Sequence, residues 1–574
     1  MLDGRRQRCR NTGYILKDLT TTRQMTDIKN GFLNISLITG WREHETILAL
    51  VVFAAFWSTF LFSAGTVTSG YHLIDDHLVL VISRELARDN VFQVVANRVS
   101  HELYDTGRFR PVYAVQRVFS IHILGANFVL LSLLSLIMAV LTSWFLYIFA
   151  RQVRFGTVAA FLFVLLILIG GQTEIWWLPA DAEPIGMFWL SISLYFMAKT
   201  IFDPGKLGRT YNVLSVLALI IATLSKESFV LLVPAVVFWE LILYRQHHQL
   251  SLIEAIKANL GKIVLLTTVC LGELAFILLK VGTTGQGYAG VDSNSLTLHI
   301  IAFTLKQLFL ASNPLLVVII GTVFLVVLTS KIVDDHVLTP KQPFKSLRPL
   351  FEELFYVAVL VGAFVAPQAV LYAKSGFELR YLIPGVMGFA FLNIYLLAKS
   401  EQLINIKVVK LGINAILVIA TLLTLAVNFR AAYKWGKAFA ADGAAVNRAL
   451  ATLASNTNSN DAILIVADPA LDYEASHSVH RYLTIQASKT NIYIDPIRRL
   501  NRADYSPFQT ELASLHRRQL ENLYIDHLRD KSQIKAIFTW GGADKAFNQL
   551  PPTWFNAEGY TRLDFGNYRV YLAS

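Results

Sequence analysis

NFVLLSLLSLIMAVLTSWFLYIFA runs from Asn127 to Ala150 without a charged side chain, and Arg151 and Arg154 follow it directly. An α-helix needs roughly 20 apolar residues to cross the hydrocarbon core of a bilayer. A span that ends on arginines is expected to finish on the cytoplasmic side. Similar runs recur along the chain. Of the 574 residues 54% are hydrophobic and 16% charged, whereas a soluble domain carries roughly 25% charged residues. Much of the surface must therefore face lipid.

The formal charge of +11 lies mostly in short segments between apolar runs and in the N-terminal tail. That placement fits the positive-inside rule and speaks against nucleic acid as a partner. Cys9 lies in the basic tail and Cys270 in an apolar run, so a disulfide between them is not expected. The polar N-terminal stretch is too long for a cleavable signal peptide and reads as a cytoplasmic tail.

Assigning spans by apolar run and orienting them by Lys and Arg gives helices over residues 47–67, 127–150, 155–171, 184–198, 211–224, 229–244, 263–279, 308–329, 354–372, 381–398 and 411–428. The expected fold is a polytopic α-helical membrane protein of about 11 transmembrane helices with a C-terminal extracytoplasmic α/β domain. Residues 1–45 form the cytoplasmic tail and 46–429 the membrane domain. Within the latter, 68–125 is a long outer loop, and 430–574 is the outer soluble domain. In that last part DAILIVAD, NIYIDPI and KAIFTW read as strands, and EASHSVHRYLTIQA and FQTELASLHRRQLENLYIDHL as helices. YTRLDFGNYRVYL reads as a hairpin, and the alternation predicts a largely parallel sheet.

Loops between spans converge at a membrane face, so charges sharing the outer side can meet. LIDDHLVL supplies Asp75 and Asp76 as a general base or metal ligand, with helix capping as the plainer reading. GQTEIWWLPADAEP supplies Glu174, Asp181 and Glu183 with Trp176 and Trp177. Acids beside aromatic rings suit sugar binding, and the rings alone suit an interfacial belt. In LSKESF, Lys226 breaks the positive-inside trend and is a candidate for an anionic ligand, with Glu227 beside it. In GFELRYLIPG, Arg380 can grip phosphate oxygens at a helix start, with Glu378 near. VDDHVL at 333–338 nearly repeats the first motif, yet falls in a Lys-rich inner loop; Asp334 and Asp335 are read as solvated charges. A divalent-metal site near His77 was weighed, but the spacing of His72, His77 and His101 matches no structural zinc pattern. No phosphate-binding loop precedes a helix.

On these motifs the chain resembles the GT-C superfamily of membrane glycosyltransferases, which includes protein O-mannosyltransferases, the aminoarabinose transferase of lipid A and bacterial polysaccharide-modifying enzymes. The resemblance spans the first ten helices: an acidic pair in the first outer loop, acids after the third helix, a Lys–Glu pair in mid-chain and an Arg-Tyr before a late helix. It implies transfer of a hexose or pentose from a polyprenyl-phosphate donor to a glycolipid, polysaccharide or protein outside the cytoplasm. Asp75 or Asp76 would be the base, with Lys226 and Arg380 on the lipid phosphate. Metal dependence varies among members, so no cofactor is assigned. The expected location is a bacterial inner membrane. The rivals are an O-antigen ligase or polymerase-like enzyme and a lipid-linked-sugar transporter or flippase. Carboxylates outnumber outer-loop Arg and His, against the first. No repeated halves are seen, against the second.

Overall fold

The computed structural model describes residues 42–104, 108–178, 181–203, 205–281, 298–311, 313–338, 348–375, 379–404, 407–496, 510, 513–514, 518 and 520–574. In chain order its main helices begin with α1 Arg42–Ala64, α2 His77–Leu86, α3 Val91–Tyr104, α4 Pro111–Leu124, α5 Phe128–Gln152, α6 Thr157–Leu168, α7 Glu183–Phe202 and α8 Gly208–Thr223. Then come α9 Val233–His248, preceded by a short turn Glu227–Val230, and α10 Leu252–Ala258, α11 Leu260–Val281, α12 Leu298–Ala311, α13 Pro314–Leu338, α14 Arg348–Ser375, α15 Ile383–Leu403 and α16 Lys407–Ser455. Among the described residues seven helices are long and apolar enough to cross a membrane, and Thr157–Leu168, Gly208–Thr223 and Leu315–Ser330 are shorter apolar helices.

The founding run behaves as read. Asn127 caps α5, its side chain accepting from Val129 N (3.1 Å) and Leu130 N (3.2 Å). At the far end Arg151 pairs with Glu45 of α1 (2.7 Å). Lys262–Glu240 (2.8 Å) and Lys399–Glu353 (2.7 Å) are further pairs that bring a lysine expected on the inner side to a carboxylate.

Four expectations need correction. The segment 68–125 is not an open polar loop but holds α2, α3 and α4. These helices are amphipathic and too short to register as spans. Val79 and Ile82 of α2, Val94 of α3 and Val118 and Ile121 of α4 bury together with Leu131, at spacings that put them on single faces. The expected helix 308–329 is replaced by α12 and α13, with Asn313 at φ 60° between them. Asp334 and Asp335 consequently lie in the helical span of α13 rather than in a loop. The boundary set at 430 falls inside α16, which continues unbroken to Ser455: composition changes after Asn428, the backbone does not. Finally, the sheet is mixed.

That sheet has the order β2-β1-β3-β5-β4, built from β1 Ala462–Ala467, β2 Ile492–Pro496, β3 Ile534–Trp540, β4 Tyr560–Phe565 and β5 Tyr568–Ala573. β1 runs parallel to β2 and β3, while β5 is antiparallel to β3 and β4. Helix α17 Tyr473–Arg481 follows β1, and α18 Gly541–Gln549, which was not anticipated, follows β3. Of the expected helix over 508–528, the described residues 510, 513, 514, 518 and 520 are helical, and 521–523 and 525–527 form 3-10 turns.

β1 is buried on both sides, its side chains alternating as strand geometry requires. Ile463, Ile465 and Ala467 pack with Ala445, Val446, Ala449, Leu450 and Leu453 of α16. Leu464 and Val466 face Phe547 of α18. Tyr71, Leu73 and Leu80 of the first outer segment belong to the α16-side core. The sheet domain and the segment beside Asp75 therefore share one hydrophobic interior.

In the helical bundle, Gly186 of α7 lets Phe229 lie against the backbone, since a Cβ there would stand 2.6 Å from its ring. Overpacking of this kind costs about 1–3 kcal/mol. Gly186→Val is expected to lower the thermal midpoint in detergent, with partial recovery when combined with Phe229→Leu. An unchanged midpoint would contradict this packing.

Candidate active site

Asp75 and Asp76 sit in the turn between Thr68 and α2, and the fold gives them different surroundings. Asp76 is 2% exposed, and its Oδ2 accepts from His72 N at 2.9 Å. Burial pushes its carboxyl up to about 7. Asp75 has φ 64°, a left-handed conformation that Asp tolerates better than most residues. Its side chain is one-third open, at 33%, and lies 3.8 Å from Arg380 Nη1. Arg117 of α4 donates to its carbonyl oxygen (3.3 Å). Burial acts to raise the Asp75 carboxyl, but Arg380, Arg117, His77 and Arg108 outweigh it and hold it below the usual value.

Arg380 lies in a 3-10 turn, Leu379–Leu382, that leads into α15 and packs on another 3-10 turn, Gly171–Trp176. Its guanidinium also donates to Asp181 Oδ1 (3.2 Å). Asp181 is 8% exposed, and its second carboxylate oxygen has no hydrogen-bond partner among the described residues. Burial, with Glu183 and Asp75 adding repulsion, raises its carboxyl well above the usual range despite Arg380. Lys226 forms a buried ion pair with Glu183. Burial lowers the Lys226 ammonium, against the pull of Glu183 and Asp181. A narrow cavity of about 20 Å³ opens beside Asp181, bordered by Arg117, Gln116, Ser120 and Ser135.

Asp75, Asp181, Glu183, Lys226 and Arg380, drawn from four separate stretches of sequence, thus meet in one cluster. Other candidates lie elsewhere. Trp176 (0% exposed) and Trp177 (4%) are core residues, packed against Trp57 and Phe60. This corrects both the sugar-platform and the interfacial-belt readings: a helix-like turn swings both rings inward between α1 and α16. Glu174 is half-buried in that turn, its carbonyl accepting from Trp177 N (3.2 Å). Glu227 belongs to a neighbouring group in which it interacts electrostatically with Arg110 and Glu273, and its Oε1 is buried without a hydrogen-bond partner among the described residues. Glu378 lies outside the described residues. His77 shares a hydrogen bond between Nδ1 and Ser478 Oγ (2.9 Å), and burial brings it down to about 4. Among the described residues no group of three His, Cys, Asp or Glu side chains is placed to hold a metal.

Sequence reasoning passed over three residues. Arg117 and Tyr113 lie one turn apart on α4, where Arg117 Nη1 donates to the Tyr113 hydroxyl (2.6 Å); α4 falls within the 68–125 segment, whose polar sequence reads as loop. Glu273 is 6% exposed within apolar α11. An acid inside a span was a visible signal.

No family model matches the chain, and no curated protein matches it. Two solved structures are similar over most of their length. One is ArnT from Cupriavidus metallidurans bound to undecaprenyl phosphate: 16% identity, TM-score 0.45, covering 91% of this chain and 97% of that one. The other is the same protein in the apo state: 14% identity, TM-score 0.45, with coverages of 91% and 97%. The chemistry below is taken from this chain's own side chains.

The Asp76 environment has a measurable consequence. The unfolded carboxyl ionises near its ordinary 3.8, the folded one near 7, so between those values the native state holds the extra proton. Wild type should lose stability relative to Asp76→Asn as pH rises from about 4 to about 7, and the gap should be constant above. Asn keeps an oxygen to accept from His72. A pH series of thermal midpoints for both proteins checks this; a gap independent of pH would place Asp76 in water.

Proposed function

We propose that this protein is a glycosyltransferase that moves a sugar from a polyprenyl-phosphate donor to an extracytoplasmic acceptor. Asp75 is the base, and Lys226 and Arg380 hold the phosphate. The observation that carries this reading is the position of Arg380, whose guanidinium bridges the one-third-open Asp75 (3.8 Å) and the buried Asp181 (3.2 Å). A base and a phosphate-gripping cation in one cluster suit displacement at a carbon that enters between them with the donor.

The chemistry follows from charge. A phosphate leaving group needs no proton if cations receive it. Lys226 supplies a point charge and Arg380 a fork that matches two phosphate oxygens. Without donor, both cations are matched by carboxylates, which prevents an uncompensated charge from being buried. On donor binding the phosphate takes over the role of Glu183 and Asp181. A protonated Asp181, favoured by its burial, gives up Arg380 at smaller electrostatic cost. Asp75, held ionised by its cationic neighbours, accepts the proton from the acceptor hydroxyl as that oxygen attacks the anomeric carbon. The bond to phosphate breaks on the opposite face, with inversion. Asp76, buried and bonded to His72, supports the turn. The reading places the cluster and the sheet domain on the periplasmic side of an inner membrane, with the N-terminus cytoplasmic.

The test uses purified full-length protein with undecaprenyl-phosphate glucose, mannose or arabinose and an envelope extract as acceptor. Release of undecaprenyl phosphate is expected with at least one donor. Asp75→Asn should lower kcat by about 10²–10⁴-fold while undecaprenyl phosphate still binds. Lys226→Ala and Arg380→Ala should instead weaken that binding by about 10-fold or more, a loss of ~1.4 kcal/mol. Full activity in Asp75→Asn removes the base assignment. Movement of the lipid across vesicles without release marks a transporter instead.

A further inference from the structure

The turn that carries Asp75 is gripped from outside the membrane bundle. Phe439, Gly443 and Asn447 recur every four residues on α16 and form one stripe. All three contact the segment Ser69–His72. The Asn447 side chain donates to Ser69 O (3.1 Å) and Tyr71 O (2.8 Å), and its Oδ1 accepts from Tyr71 N (3.3 Å). It thus completes backbone groups that a turn cannot satisfy internally. Gly70 between them has φ 81°, and an added Cβ would meet Asn447 at 2.9 Å. The His72 ring stacks on Phe439, centroids 3.7 Å apart and 9° from parallel. It lies so close to Gly443 that a Cβ there would be 2.3 Å from it. Only glycine allows this approach.

The grip continues on the far side of Asp75. The Tyr71 hydroxyl donates to Ser478 O (2.8 Å), and His77 Nδ1 meets Ser478 Oγ (2.9 Å). Ser478 belongs to α17, in the sheet domain. Across the turn, His72 N donates to Asp76 Oδ2 (2.9 Å), tying its two ends together. Asp75 is thus the apex of a turn with fixed flanks, in a left-handed conformation (φ 64°). Such conformations persist where the surroundings over-determine them.

We infer that Asn447 is a positioning residue for Asp75: with the Phe439–Gly443 stripe and Ser478, it sets the angle at which the carboxylate faces Arg380. The sheet domain thereby completes the active site from outside. The inference rests on the reading of Asp75 as the base, and the experiment separates the two. A misplacement on the order of 1 Å can cost about 10²-fold in rate.

Asn447→Ala removes the clamp. Gly443→Ala leaves Asn447 in place but drives a methyl into His72. Both are expected to lower kcat with the undecaprenyl-phosphate donor by about 10²-fold, with KM and undecaprenyl phosphate binding within about twofold of wild type. Neither should lower the residual turnover of Asp75→Asn further, because both act through Asp75. Hydrogen exchange should rise at residues 70–78 and stay unchanged in α5 and α7. Unchanged kcat, additivity with Asp75→Asn, or a loss of phosphate binding equal to the loss of kcat would each overturn the inference. If wild type turns over no donor, the transferase reading fails and exchange alone decides the clamp. Exchange at 70–78 that is unaltered in Asn447→Ala overturns it; faster exchange there supports it.

Discussion

A half-buried guanidinium set between two carboxylates holds the charged cluster together. Charges cannot be taken out of water singly, so Arg380, Asp75 and Asp181 stand or fall as a unit, with Lys226 and Glu183 as a second unit beside them. The five partners come from four separate stretches of the chain. The ends of α1, α7, α9 and α15 must therefore meet for the cluster to exist, and the bundle's apolar packing is what lets them meet. The arrangement is costly as architecture, and that cost is itself an argument for chemistry. Simple stability is better served by apolar contacts of similar volume.

Much of this was legible in the sequence. Long uncharged runs such as 127–150 announce spans, and the basic segments between them fix which ends share a side. That alone was enough to bring Asp75, Asp181, Lys226 and Arg380 together on paper. What sidedness cannot supply is orientation. Two adjacent aspartates look alike in a string of letters, and only the turn makes Asp75 open and Asp76 2% exposed. Nor does a Trp-Trp pair beside acids reveal whether the rings face ligand, lipid or core. Here a 3-10 turn decides for the core.

The misses share a physical origin. Helices α2 to α4 carry one apolar face each and lie among polar residues, so a search for long apolar runs passes over them. Arg117 was lost with them. The domain boundary at 430 failed for the opposite reason: composition changes there while the backbone does not. A helix is indifferent to whether its outer face meets lipid or water, provided that one face stays packed. Leu425 and Ala445 are both buried, on either side of that change.

The unbroken run of α16 across 49 residues has a mechanical meaning. At 1.5 Å per residue it forms a rod about 70 Å long, more than twice the thickness of a hydrocarbon core. One end carries the apolar run 411–428, and the other packs against the sheet. A rod of that kind converts tilt into displacement. When a bilayer thins or thickens, its spans re-tilt to match, and here the swing is delivered to the very turn that aims a carboxylate. On the proposed reading of Asp75 as the base, lipid composition becomes a variable of catalytic geometry.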